Sequence, residues 1–311
     1  MNLLITGGTG FIGSRIAAAA RRRPDTHVRL LSRRALRTPT ETETAPETET
    51  VPGDLADPAS LYGSCTGIDV LVHCASRVSG DPESLAAVND RGTEALMEEA
   101  VRGGVRRILH VSTAAVHGRG PFRGVRPGEA PVAPASAASR TRAAAERHVL
   151  DAGGLVLRPH LVYGEGDRWM VPGLVGLLRE LSATVTDCEA LHSMIDVNTL
   201  GRAAVAAALS PALEPGVHYV NHPAPVSASE LLAAVCAHVE QPGGGASVDV
   251  TTAYARAADS PRALHHLGML TVDHWFEDDA FWSTLNCSPG DTFAHAFPRA
   301  ASWYRSFLGA P

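Results

Sequence analysis

The run TGGTGFIG at residues 6–13 constrains this chain more than any other feature. It directly follows the short apolar stretch Asn2–Thr6, which suits a buried strand. It also opens a helical pattern, Phe11–Arg23, with Ile12, Ile16 and an alanine run at helical spacing, three arginines near its negative end and Pro24 as its stop. A strand that passes through glycines straight into a helix has few structural solutions. G-x-G-x-x-G falls at Gly8, Gly10 and Gly13. Gly7 and Gly10 allow a tight turn and close backbone approach to a pyrophosphate, free amides at the helix start hold its charge, and Gly13 lets the helix pack against the sheet.

Further apolar runs at His27–Leu31, Asp69–His73 and Arg107–Val111 read as strands, the last two separated by a helical pattern over Pro82–Arg102. Strand and helix in alternation predict an α/β protein with a parallel sheet. The Thr/Glu tract Thr38–Thr50 has almost no apolar residue and reads as a solvated, mobile loop.

Every one of the 27 basic residues is arginine. The absence of lysine excludes a Schiff base, a pyridoxal phosphate anchor, a P-loop lysine and a lysine general base. A net charge of −6 gives no reason to expect nucleic acid as a partner. No apolar run approaches the length of a membrane span, and no basic stretch precedes a long apolar segment at the N-terminus, so a cytoplasmic location without membrane attachment is expected. Five scattered cysteines and fourteen histidines show no C-x-x-C, no HExxH and no Cys/His cluster at ligand spacing, so neither a disulfide framework nor a metal is expected. The oligomeric state is left open.

At the end of the second strand a nucleotide-binding unit that reads a free ribose would carry Asp or Glu. This chain has Ser32-Arg33-Arg34. A hydroxyl and two guanidiniums suit a 2'-phosphate, so NADPH/NADP+ is expected over NADH.

With the glycine loop, Gly53-Asp54-Leu55, His73-Cys74-Ala75-Ser76, NDRGT at 89–93, VSTAAVHG at 111–118, LRPHLVYG at 157–164 and IDVNTLGRA at 195–203, the chain resembles the extended short-chain dehydrogenase/reductase family. Sugar-nucleotide epimerases and dehydratases belong to it. The resemblance implies a Rossmann-type, doubly wound parallel sheet with a smaller, interleaved C-terminal substrate lobe. Residues 1–165 would form the NADP-binding domain, with 191–222 returning to it. Residues 166–190 and 223–311 would form a substrate lobe with an aromatic-rich lid. Cofactor contacts are implied for Gly7, Thr9, Gly10, Phe11, Ile12, Gly13, Ser32, Arg33, Arg34, Asp54, Leu55, Ala75, Ser76, Arg142, Pro159 and Leu161.

The catalytic pattern departs from the family's. A Ser or Thr ending strand five should work with Tyr-x-x-x-Lys on the next long helix. Thr113, preceded by Ser112, fills the hydroxyl position, but with Glu146 as anchor the helix puts Ala138 at the tyrosine position and Arg142 at the lysine position. A positioned proton donor contributes about 10² to 10⁴ in rate, roughly 3 to 5 kcal/mol. Its loss disfavours epimerisation and dehydration, whereas hydride transfer to a carbonyl depends chiefly on proximity and orientation.

Nine of the sixteen aromatic residues lie in the last 42 positions. An aromatic lid over a flat substrate is one reading of that tail, with a small-lobe core the other. Ser76, His117, His192, Trp275, Phe276, Phe281 and Trp282 are the candidate substrate contacts. Residues 159–311 carry 7 arginines against 16 acidic residues, which disfavours a sugar diphosphate. Two functions are compatible with these features. One is an atypical NADPH-dependent ketoreductase acting on a small aromatic molecule, an angucyclinone-like polycyclic polyketide. The other is a non-catalytic NADP-binding redox sensor of the same fold.

Overall fold

A computed structural model of the chain describes residues 1–33 and 49–309, apart from the side chains at 242 and 243. Seven strands form the main sheet: β1 (Asn2–Thr6), β2 (His27–Ser32), β3 (Glu49–Pro52), β4 (Val70–His73), β5 (Arg107–Val111), β6 (Leu155–Arg158) and β7 (Gly216–Tyr219). They lie in the order β7-β6-β5-β4-β1-β2-β3, with every neighbouring pair parallel. Strand order reverses between β1 and β4, and in open α/β sheets the crevice beyond the strand ends at that point takes ligands. The fold is a Rossmann-type doubly wound sheet.

The pleat explains the layering. Leu3 and Ile5 of β1 enter one core with Ile16 of helix α1 (Phe11–Arg21), while Leu4 faces the opposite core with Leu71, Leu96 and Val149. Helix α2 (Gly92–Arg102) and helix α3 (Ala137–Asp151) cover that second face. Helix α4 (Val197–Leu209) joins α1 on the first.

The helix expected over Pro82–Arg102 is broken by a π-helical segment, Ala87–Arg91. It swings Asn89 inward, where its amide bonds Arg77 O at 2.8 Å and Thr141 Oγ1 at 2.9 Å and its carbonyl accepts Arg77 N–H at 2.7 Å. The end of the Thr/Glu tract is also not a loop. Glu49 and Thr50 begin β3, because the open edge of β2 pairs Arg29 with Glu49 and Leu30 with Thr50. The tract's earlier part lies outside the described residues, as does Arg34.

A second lobe contains a four-stranded sheet in the order Val226–Ser227, Leu191–His192, His274–Phe276, Phe122–Val125. Its core gathers helices Met170–Leu181, Ala228–His238, Pro261–Leu270 and Phe293–Leu308 around residues such as Leu174, Leu231, Leu267 and Phe297. The chain crosses between lobes more often than the sequence division proposes. Phe122–Val125 leaves the first segment for the small sheet, and Phe281 and Trp282 return to the main-sheet core.

Candidate active site

The glycine loop is held by contacts that only glycine permits. Gly7 sits at φ 68°, and a Cβ there would lie 2.7 Å from Ala75 N. A Cβ on Gly13 would lie 2.1 Å from Gly7 O. The turn is closed by Gly10 N–H donating to Gly7 O at 2.9 Å. Helix α1 therefore starts directly under the loop, with its free amides at the sheet's switch point.

A cleft of about 800 Å³ opens there. Of the expected cofactor contacts, Gly7, Thr9, Gly10, Ser32, Arg33, Asp54, Leu55, Ala75 and Ser76 all line it. Thr6, Arg77 and Val88 line it too and were not singled out from the sequence. The residues present fit a dinucleotide: close-packed glycines and helix amides for a pyrophosphate, and the exposed Arg33 beside Ser32 at the end of β2. Gly13 forms the loop's floor, and Phe11 and Ile12 are half-buried in the first turn of α1.

Arg142, Pro159 and Leu161 do not border the cleft. Arg142 points to the sheet, where its Nη2 donates to Val111 O at 3.3 Å. Burial pushes its guanidinium down to about 10. Pro159 and Leu161 are buried, and Pro159 O accepts the Ala114 N–H at 2.9 Å, tying the ends of β5 and β6 together.

Thr113 follows β5 and caps the short helix Ala114–His117, its Oγ1 accepting the Ala115 N–H at 3.2 Å. The hydroxyl proton is left to donate. Ser112 is buried, and its Oγ, Arg142 Nε and His110 Nε2 have no hydrogen-bond partner among the described residues. Beneath the loop, Thr6 Oγ1 accepts the amides of Cys74 and Ala75 and bonds His73 Nδ1 at 2.7 Å, while His73 Nε2 meets Thr93 Oγ1 at 3.0 Å. Thr93 donates its own proton to Asn89 O, so His73 carries its proton on Nε2 and accepts on Nδ1. Burial, reinforced by the Arg142 charge, pushes His73 down to about 4 and keeps it neutral.

Of the expected substrate contacts, only Ser76 reaches the cleft. His117 is 3% exposed and fully engaged: its Nδ1 bonds Pro131 O at 2.8 Å, and its Nε2 meets Tyr219 OH at 2.7 Å and Arg158 Nη1 at 3.1 Å. His192 is completely buried in the small lobe's sheet. Of the two readings of the aromatic tail, packing in a core describes these rings. Phe281 and Trp282 belong to the main-sheet core, with the indole donating to Asn221 O at 3.0 Å. Phe276 packs with Tyr219, Ala114 and Phe122, and the half-buried Trp275 lies over Gly124. A fully buried ring contributes about 1.5–3 kcal/mol, and Phe281, Phe297 and Tyr304 of the tail are spent in this way, while Phe307 stays 45% exposed.

The chain matches the 3-beta hydroxysteroid dehydrogenase/isomerase family over residues 4–230. It is 28% identical over 280 residues to a 2-alkyl-3-oxoalkanoate reductase of Stenotrophomonas maltophilia, covering 82% of this chain and 80% of that one. It is 31% identical over 192 residues to a 4-hydroxy-2-methyl-3-oxo-4-farnesyl-3,4-dihydroquinoline-1-oxide ketoreductase of Stigmatella aurantiaca, covering 58% and 55% of the two chains. In fold it is similar to the Bordetella bronchiseptica enzyme WbmH, solved in complex with NAD+, with TM-score 0.75, 22% identity and coverage of 98% and 99%. A glycine-cradled cleft at the switch point of a seven-stranded parallel sheet, matched across most of its length, makes this chain a member of the 3-beta hydroxysteroid dehydrogenase/isomerase family.

Proposed function

We propose that this protein is an NADPH-dependent reductase of a ketone on a fused aromatic substrate, an angucyclinone-like polyketide with a phenol beside the carbonyl. One observation carries the reading. Thr113, two residues past the end of β5 and outside the residues that line the cleft, keeps a hydroxyl proton to donate, on a chain whose following helix has no tyrosine and whose sequence has no lysine.

NADPH, when bound, supplies the hydride. The chain's own residues do the rest: the amides around Gly10 hold the pyrophosphate and Arg33 with Ser32 holds the 2'-phosphate. The Thr113 hydroxyl orients the ketone oxygen. Arg142 stays on Val111 O, shaping the end of β5. With no titratable acid positioned, the proton reaches the product oxygen from water or from the substrate's own phenol, which polarises the carbonyl by an internal hydrogen bond. The two reductase relatives support carbonyl reduction, and the substrate named for the Stigmatella enzyme is a fused ring system with an oxo group.

Single-turnover oxidation of bound NADPH against a panel of aromatic ketones tests this. Loss of NADPH absorbance with the hydroxy-ketones is expected. Tight NADPH binding with no oxidation by any ketone would instead favour the redox-sensor reading.

A further inference from the structure

Three histidines from distant parts of the chain meet in the small lobe: His160 just beyond β6, His192 in the strand Leu191–His192, and His274 at the start of His274–Phe276. One nitrogen from each lies within 4.8 Å of one from each of the others. The ring planes are nearly parallel, 8° to 19° apart, with centroids 5.3 to 6.4 Å apart. Sequence spacing could not reveal this, because strand pairing brings the residues together. His192 and His274 face each other in the parallel ladder, and Ser193 N–H donates to His274 O at 2.9 Å.

The protonation pattern is that of a ligand set. His192 Nε2 donates to Leu270 O at 3.3 Å, which leaves the Nδ1 lone pair of a fully buried ring with no partner among the described residues. His274 Nδ1 donates to Val272 O at 2.9 Å, leaving Nε2 as an acceptor that now takes only the Gly120 N–H, at 3.1 Å. His160 Nε2 is buried and likewise without a partner among the described residues. A metal-binding imidazole donates its other N–H to a backbone carbonyl or carboxylate, which fixes the ring and its tautomer, and two of these three already do.

We propose that His160 Nε2, His192 Nδ1 and His274 Nε2 form a three-imidazole site for a late first-row divalent cation, Zn²⁺ foremost. Neutral imidazoles suit such ions, and three of them leave a coordination position open. Zn–N bonds of about 2.0–2.1 Å would draw the nitrogens together by small ring rotations and replace one hydrogen bond, that of Gly120. The ion would clip the loop after β6 to the small sheet. That loop is bonded through Pro159 O to Ala114, next to Thr113.

The test uses the full chain, stripped with a chelator and shown folded by circular dichroism, without cofactor or substrate. Calorimetry with Zn²⁺ should give one ion per chain, and Co²⁺ should give the strong visible absorption of a low-coordinate site. Zn²⁺ should also raise the thermal midpoint of unfolding. His160→Ala and His274→Ala, both at half-buried positions, should each weaken Zn²⁺ binding at least about tenfold and abolish the thermal shift. No uptake by the folded wild type overturns the site. So does binding that survives both substitutions unchanged, which would place the ion on surface histidines. Neither result bears on ketone reduction, which is measured separately.

Discussion

Glu146 grips Arg158 with both carboxylate oxygens, Nε to Oε1 at 2.9 Å and Nη2 to Oε2 at 2.5 Å, and both side chains are almost fully buried. The pair joins α3 to β6 and continues through His117 to Tyr219 of β7, bracing the sheet behind Thr113. Removing one partner of such a pair leaves a buried charge without compensation. Glu146→Ala should therefore cost about 3–5 kcal/mol in urea unfolding, and Tyr219→Phe only about 1 kcal/mol, since Arg158 still reaches the imidazole. A cost for Glu146→Ala below about 1 kcal/mol would show that the guanidinium finds water instead.

The glycine loop separates folding from ligand binding. A Cβ on Gly13 would lie 2.1 Å from the Gly7 carbonyl, whereas one on Gly10 would meet that oxygen at 3.3 Å. Gly13→Ala should lower stability without any ligand by about 2–3 kcal/mol or more, while Gly10→Ala should stay within about 1 kcal/mol and act mainly on cofactor affinity. Equal stability losses in the two variants would contradict this division of labour.

The parts of the fold set by local pattern were legible beforehand. Asn2–Thr6, the glycines and the alanine-rich α1 carry turn chemistry and periodicity on their face, and Ser32-Arg33 follows from strand position alone. What tertiary contact decides was not legible. Glu49 has poor strand character, and the polar tract around it hides Thr50 and Val51, which become β3 with it because β2 offers an edge. Phe281 and Trp282 read equally as lid or core, and only the main-sheet face they cover distinguishes the two. His117 resembled a pocket residue until Pro131, Arg158 and Tyr219 were seen to use its nitrogens. Arg142 was expected at the cofactor, but the Val111 carbonyl holds it at the sheet.

Cofactor choice should follow Arg33. It lines the cleft beside Ser32 where a ribose-reading carboxylate would otherwise stand. NADPH should bind at least about tenfold tighter than NADH, a difference of about 1.4 kcal/mol. Arg33→Ala with Arg34→Ala should erase most of that preference. Calorimetric titration of both cofactors decides it, and equal affinities in the wild type would remove the phosphate site.

His73 makes stability depend on pH. Burial, with the Arg142 charge behind it, holds the folded ring at about 4 against an ordinary 6.5. The unfolded chain therefore takes up a proton first as pH falls, so this residue's contribution is complete above the ordinary value and is lost between the two. Between pH 7 and pH 5 it removes about 2 kcal/mol. His73→Gln should shrink the wild type's loss over that interval by about this amount in paired denaturant titrations. An unchanged loss would mean that His73 is protonated in the folded chain.

Thr113 should orient the substrate without being its acid. Its oxygen already accepts the Ala115 amide at 3.2 Å, which leaves its proton available to donate, but an alkyl alcohol is too weak an acid to give that proton up unaided. No lysine is available to relay to it, and Arg142, the cation at the lysine position, is bonded to Val111 O. Thr113→Val removes the donor together with the helix cap and should lower single-turnover reduction by roughly one to two orders of magnitude. Thr113→Ser keeps both contacts and should recover most of the rate. The remaining acceleration comes from the substrate, so methylating the phenol beside the ketone should slow Thr113→Val at least as much as it slows the wild type. Complete inactivation of Thr113→Val with binding intact would make the hydroxyl the obligatory proton donor. Undiminished reduction of the methylated ketone would remove the phenol from the mechanism and leave water as the proton source.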